Sequence, residues 1–397
     1  MRIALIGPAQ DLHLRRWGRA LQAAGAEVVF VGLEPPPSDV HPYHSVGPPV
    51  TRPRWMDFYR RARALRRLLE TLQVAVAHPF HLTPSGVWVW LSGFRPYVPY
   101  AMGADLLEYT PGAPPLCYSW SLQSTSPTLP RLAAAWLRRR LLPPLLRQTL
   151  QEAAFALADN YELCKAEKFF EKEKNYIELP TGPERVGGSW EGEERVGLLF
   201  PRGLTPFYRA DILLEAAHLY LAAQGRLLLF CLAGPYPPHP HLTRQAKDLE
   251  KRFPNKFFLF EKILDKKEIA KLWRRSLAFV SAPLYDGYSY SLAEGRAYGA
   301  LPIIPALPAY LELLTHGYNA WFVEPFTPEN LRQAFFAAEK YLTEPPFWPA
   351  RNLAWVERFS DLRRSAEAFL SLLQAYLDRQ PKEGREKQKQ PQRRQKP

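Results

Sequence analysis

The sequence predicts an α/β protein made of two doubly wound, Rossmann-like domains. Three observations carry this. Short apolar runs alternate with helical stretches, the pattern of parallel strands covered by helices on both faces. The alternation lapses around residues 187–194, a Gly- and Glu-containing stretch that reads as a linker, and then restarts. The length, 397 residues with 47% apolar, suits two domains of roughly 180 residues, each with its own core.

In the first half, residues 1–186, Arg2–Ile6 reads as the first strand and Leu12–Ala24 as a helix stopped by Gly25. Glu27–Gly32 is a second strand, and the Pro-rich stretch 34–54 is a loop. Val74–Ala77 and Val98–Ala101 are later strands. A mixed-charge helix is expected within Leu157–Pro180, leading into a strand at Tyr176–Leu179. The second domain, 195–345, opens with the strand Val196–Phe200 and the helix Ala210–Ala223. Strands follow at Leu227–Ala233, Phe257–Phe260, Leu277–Ser281 and Leu301–Pro305, and Phe359–Leu377 reads as a closing amphipathic helix.

Composition removes several function classes. No apolar run approaches the 18 or so residues of a membrane span. The start, MRIALIGPAQ, reads as a strand and a Gly turn, since its apolar run is too short for a signal peptide. Three scattered cysteines, Cys117, Cys164 and Cys231, argue against a disulfide framework or a cysteine metal site and favour the cytoplasm. The formal charge of +13 divides into two parts. Residues 381–397 carry +5 with no aliphatic or aromatic side chain, the composition of a disordered tail. The rest sits mainly in the first half, where 52–70 and 131–150 mix arginines with Trp55, Tyr59, Trp136 and several Leu. Together these point to an anionic membrane surface as a partner and to a peripheral position on its inner face. No helix-turn-helix, zinc or RNA-binding motif accompanies the charge, so nucleic acid is not expected. Neither a P-loop nor a dinucleotide G-x-G-x-x-G follows the first strand, which removes the NTPase and dehydrogenase readings.

The most informative segment is 281–325, SAPLYDGYSYSLAEGRAYGALPIIPALPAYLELLTHGYNAWFVEP. An apolar strand feeds a Tyr-Asp-Gly turn and then a helix start, where unpaired N–H groups favour an anionic ligand. Asp286 and Glu294 are spaced D-x7-E, which lets the second acid face the same cleft two turns into the helix.

Asp286-Gly287-Tyr288-Ser289, Glu294-Gly295, Ala297, Gly299 and Pro302-Ile303-Ile304, followed by Gly317-Tyr318-Asn319-Ala320 and Val323-Glu324, resemble the E-x7-E donor site of the family-4 retaining glycosyltransferases. That family has the GT-B fold, two Rossmann-like domains facing a central cleft. The first acid is Asp here, about 1.5 Å shorter by one C–C bond. Ser289 and Ser291 stand where apolar or Gly residues are common. The resemblance implies a nucleotide-diphosphate sugar, with UDP or GDP as the nucleotide. It assigns donor contacts to Glu294, Gly287, Tyr288, Ser289 and Ser291, and a catalytic role to Asp286. It also implies that the last helix, 359–377, returns to complete the first domain.

Arg202 and Arg209 follow the first strand of the second domain. They are similar to the family's cation pair on the diphosphate, although the spacing is seven and the second cation is Arg. A guanidinium meets phosphate oxygens with paired donors and stays charged, which suits a leaving group that develops negative charge. On the acceptor side, His13, Arg16 and Trp17 are similar to a polar–cation–Trp pattern in relatives. Met102-Gly103-Ala104-Asp105 resembles an H-G-S-D segment with Met in place of His, so Asp105 is either a site acid or a helix cap. His78 and His81, at a strand end, are further candidates. No D-x-D occurs, so no metal and no cofactor is expected. The expected activity is metal-independent retaining transfer to a cell-envelope glycan or lipid-linked acceptor. The alternatives are a non-catalytic sugar-nucleotide-binding protein and a nucleotide-sugar epimerase.

Overall fold

The computed structural model describes residues 1–32, 40–46, 54–110, 128–160, 163–166, 176–180, 182–183, 194–234, 239–287, 289–344 and 347–380, with backbone alone at 54–58 and 104–105. Tyr288, most of the proposed linker 187–194, the tail 381–397 and the side chains of Trp55 and Asp105 lie outside the described residues.

The first half contains β1 (Arg2–Ile6), α1 (Leu12–Ala23), β2 (Glu27–Gly32), β3 (Tyr43–Ser45), α2 (Arg54–Thr71), β4 (Val76–Pro79), α3 (Val87–Ser92), β5 (Tyr100–Ala101), α4 (Ala104–Leu107), α5 (Leu129–Glu152), β6 (Ala156–Ala158) and β7 (Tyr176–Glu178). All its strands pair in parallel, in the orders β3-β2-β1-β4 and β5-β6-β7. Single bridges at Ala77/Tyr97 and Phe80/Tyr100 join the two groups. Burial on both faces explains why β1 reads as an unbroken apolar run rather than an alternating one.

The second half contains β8 (Gly197–Phe200), α6 (Ala210–Ala222), β9 (Leu228–Leu232), α7 (Pro240–Arg252), β10 (Phe257–Phe260), α8 (Lys266–Arg275), β11 (Ser276–Val280), α9 (Tyr290–Ala297), β12 (Leu301–Pro305), α10 (Pro308–Leu311), β13 (Trp321–Val323) and α11 (Pro328–Glu339). Its six parallel strands run β10-β9-β8-β11-β12-β13. Numbered within the domain this is 3-2-1-4-5-6, the Rossmann order, and the direction of winding reverses between β8 and β11. One apolar cluster fills each face of this sheet.

Two helices end the chain, α12 (Trp348–Phe359) and α13 (Leu362–Arg379). Leu362, Ala366, Phe369 and Leu373 of α13 are buried in the first half's core beside Trp17, Val76 and Phe80.

Three sequence expectations are corrected. The closing helix expected at 359–377 starts at Leu362, because Asp361 caps it by accepting from the N–H groups of Arg363 and Arg364, and Phe359 ends the preceding helix α12. At the start of the stretch 157–180, where a mixed-charge helix is expected, Ala156–Ala158 is a strand that pairs between β5 and β7, and helix is seen at 163–166. Inside the Pro-rich loop 34–54, Tyr43–Ser45 pairs with β2.

Candidate active site

Ligands of open parallel sheets collect outside the carboxyl ends of the strands, where the winding direction reverses. In the second half that crevice lies beyond Phe200 of β8 and Val280 of β11. The two loops entering it carry Arg202 and Arg209, and Asp286, Gly287 and Ser289. Arg202 Nη2 donates to Asp286 Oδ2 at 2.6 Å. The same oxygen accepts from the Tyr310 hydroxyl at 2.8 Å. The Arg202 guanidinium also lies over the Tyr208 ring, 4.7 Å from its centroid.

Ser289 is the N-cap of α9: its Oγ accepts from the Leu292 N–H at 3.3 Å. This explains a Ser where relatives of the pattern carry other residues. Ser291 follows on the first turn and is partly exposed. Arg209 precedes α6 with a left-handed backbone, φ 49°, and lies over the Phe326 ring at 5.2 Å. Burial lowers its pKa, opposed by the nearby charges of Glu324 and Asp211. Arg202 and Asp286 are thus paired on the two loops, and Ser289 starts the helix that carries Glu294.

The first half has its own reversal point between β1 and β4, and it supplies the opposite wall. Asp11 caps α1 by accepting from the His13 N–H at 2.7 Å, and its other oxygen meets His81 Nε2 at 2.7 Å. Burial raises the Asp11 carboxyl, but the His81 hydrogen bond and the charges of His81 and His13 outweigh it. The carboxyl is held well below the usual range. His81 has φ 76°, a left-handed conformation that costs a non-Gly residue energy and recurs at functional sites. Burial lowers the His13 pKa to about 4; Asp11 opposes the shift while Arg16, His81 and Arg202 add to it.

The two walls meet. Arg16 Nη2 donates to Glu294 Oε1 at 2.8 Å, across 278 residues of sequence. The His13 ring lies against the Tyr290 ring with centroids 3.6 Å apart. A Cβ on Gly103, whose φ is 111°, would come within 3.2 Å of the Gly287 backbone nitrogen. The positive φ and that close approach make glycine the fitting residue at position 103. The Tyr285 hydroxyl adds a bond to Glu108 Oε1 at 3.1 Å.

One sequence candidate falls elsewhere. His78 is a core residue: Trp17 Nε1 donates to its Nε2 at 2.8 Å, while its Nδ1 lies 2.6 Å from the Val98 carbonyl. An indole N–H can only donate, so Nδ1 carries the proton and the ring is neutral. Burial lowers its pKa to about 4. Asp105 sits at the second position of α4, whose N-cap is Gly103, so the capping reading does not hold. Sequence reasoning missed Tyr310, Asp11 and the strain at His81. Among the described residues, no group of three His, Cys, Asp or Glu could hold a metal ion.

No protein-family model and no curated protein matches this chain. Solved structures match it over nearly its whole length. A glycosyltransferase from Rickettsia africae ESF-5 aligns with TM-score 0.68 at 14% identity, covering 96% of this chain and 99% of its own. Sucrose-phosphate synthase from Thermosynechococcus elongatus aligns with TM-score 0.69 at 16% identity, covering 96% and 100%. Anabaena HepE, solved with UDP-glucose, aligns with TM-score 0.67 at 12% identity, covering 94% and 100%. The fold is that of the GT-B glycosyltransferases, with two Rossmann-like domains facing one cleft.

Proposed function

We propose that this chain is a retaining, metal-independent glycosyltransferase that moves a sugar from a nucleotide-diphosphate donor, UDP- or GDP-linked. One observation carries the reading: Arg202, Asp286 and Glu294 converge at the β8/β11 reversal point and face His13 and Arg16. A fold neighbour, HepE, was solved with UDP-glucose in place, and a trehalose-phosphate synthase from Burkholderia xenovorans with glucose-6-phosphate. In the proposed chemistry Glu294 accepts hydrogen bonds from the ribose hydroxyls. Arg202 and Arg209 neutralise the diphosphate as it leaves, where charge grows most in the transition state. Asp286 accepts from hydroxyls of the donor sugar, and Gly287, Tyr288, Ser289 and Ser291 add further donor contacts. His13 and Asp105 lie on the acceptor side.

The acceptor is a cell-envelope glycan or lipid-linked intermediate, met at the inner membrane face. No described helix is long and apolar enough to cross a bilayer. Helix α5 instead exposes Trp136, Leu137 and Leu141, with Arg140 over the Trp136 ring at 5.4 Å. Apolar burial and attraction to anionic lipid combine on such a face.

A thermal-shift screen of UDP, GDP and ADP sugars tests the donor reading, followed by hydrolysis of the best stabiliser. Slow hydrolysis that keeps the anomeric configuration is expected. Epimer formation, or tight binding without turnover, would replace transfer with another activity. For the membrane, a chain ending near Gln380 should bind anionic vesicles in a salt-sensitive way and ignore neutral ones. Replacing Arg138, Arg139 and Arg140 with Ser should weaken that binding by up to about 3 kcal/mol. A truncated chain that ignores anionic vesicles at low salt points to a soluble acceptor.

A further inference from the structure

We propose that Tyr310 is a positioning residue for the donor sugar. It locks the Asp286 carboxylate in one orientation and presents Oδ1 to the sugar's hydroxyls. The inference rests on the glycosyltransferase reading above and assigns a role to a residue outside the D-x7-E segment.

Geometry carries it. Tyr310 lies in α10, just after β12, on the strand next to β11. It is 0% exposed and packs in the apolar cluster on that face of the sheet. Its hydroxyl nevertheless reaches the crevice and donates to Asp286 Oδ2 at 2.8 Å. Arg202 Nη2 donates to the same oxygen at 2.6 Å. Two donors converging from different elements remove the rotation about the Asp Cβ–Cγ bond. Among the described residues Oδ1 has no partner, so its charge and lone pairs remain for a ligand.

A short acid gives this lock a purpose. An Asp has one fewer C–C bond than Glu with which to reach a sugar, so its orientation must be set by its surroundings. The donor also cannot fail by ionising. Burial and the Asp286 charge hold the phenol pKa well above its ordinary value, against the opposing Arg202 charge. The hydroxyl therefore stays protonated, and a donor, at neutral pH.

The test separates sugar from nucleotide. Dissociation constants for UDP and UDP-glucose, and for GDP and GDP-mannose, are measured by calorimetry. The proteins are the wild type, Tyr310→Phe, Asp286→Asn and the double variant. Hydrogen bonds to a charged group typically contribute a factor of about ten or more. Tyr310→Phe should shift the ratio of sugar-nucleotide to nucleoside-diphosphate affinity by about tenfold against the sugar nucleotide. Affinity for the diphosphate alone should change less than about twofold. In the Asp286→Asn background the Phe substitution should change the ratio no further, because its effect runs through that carboxylate. Equal losses for both ligands, or additive losses in the double variant, would reduce Tyr310 to a packing residue. If Tyr310→Phe melts too early for calorimetry, sugar-nucleotide KM and diphosphate inhibition constants measured below its Tm give the same ratio. A wild type that binds nucleoside diphosphate and sugar nucleotide, with the ratio unchanged in the variant, sinks this role alone. A wild type that binds no sugar nucleotide sinks the donor reading with it.

Discussion

The two acids of the D-x7-E segment are eight residues apart and held in opposite ways. Asp286 finds both partners, Arg202 and Tyr310, inside its own domain, on segments that follow β8 and β12, the two strands flanking β11. Glu294 finds Arg16 on the other domain, across the cleft. The end of the crevice assigned to the sugar and leaving group is therefore set by the second domain's fold alone. The end assigned to the nucleotide is set by how the two domains meet. Pre-formed geometry suits the end where bonds change, because reorganisation there would add to the barrier. A contact between domains suits the end where a ligand must enter, because opening that contact opens the site.

The largest effect should fall on the pre-formed end. Arg202 hydrogen-bonds Asp286, and under the proposed function it meets the leaving diphosphate, so Arg202→Ala should remove an electrostatic partner of the transition state. We expect turnover to fall by a hundredfold or more, about 3 kcal/mol of barrier, with a smaller change in donor affinity. Steady-state kinetics decide this. A raised KM with intact kcat would make Arg202 a uniform binding residue and would remove the contrast between the two ends.

An intermediate effect is expected at the other acid. Glu294→Gln keeps the shape and removes the charge that, under the proposed function, meets the ribose. Nucleoside-diphosphate affinity should fall about tenfold to a hundredfold, and turnover at saturating donor should change little. Calorimetry with UDP and GDP measures this on folded protein. Unchanged affinity would take Glu294 out of the nucleotide end.

The contrast also explains which features were legible in sequence. Within the second domain the signals are local: a strand, a turn, a capping Ser and an acid at fixed spacing all fall within Ser281–Pro305. Ser276–Val280, α9 and Leu301–Pro305 therefore lie where the pattern places them, within a residue or two at the ends. Tyr310 carries no such signal. It is one Tyr in a Pro-rich turn, and its role depends on β12 lying beside β11. The Arg16–Glu294 pair joins elements 278 residues apart, which periodicity within one window cannot find. Three-residue strands such as Ala156–Ala158 fail for another reason: they are too short to show a period and are defined by their neighbours. The break at Ser360 was missed because Asp361, read as part of a continuous amphipathic stretch, is a cap.

The smallest effect is the most direct test of the comparison. If the ribose and Arg16 compete for Glu294, apparent nucleotide affinity is reduced to the fraction of time the pair is open. The pair is mostly buried, with side-chain exposures of 9% for Arg16 and 24% for Glu294, so it outlasts a typical surface pair. Exposed ion pairs contribute about 0.2–1 kcal/mol, so a conservative gain on removing Arg16 is two- to fivefold. Arg16→Ala should then tighten nucleoside-diphosphate binding by about that factor, mainly through faster association, since the pair no longer has to break first. Association rates from stopped-flow with a fluorescent nucleotide, compared between wild type and variant, measure it. The Glu294→Gln, Arg16→Ala double variant should show no further gain, because the acid being contested has already lost its charge. A loss of affinity in Arg16→Ala would mean that the guanidinium itself reaches the bound nucleotide. The domain contact at Glu294 would then be part of the binding site rather than a barrier in front of it.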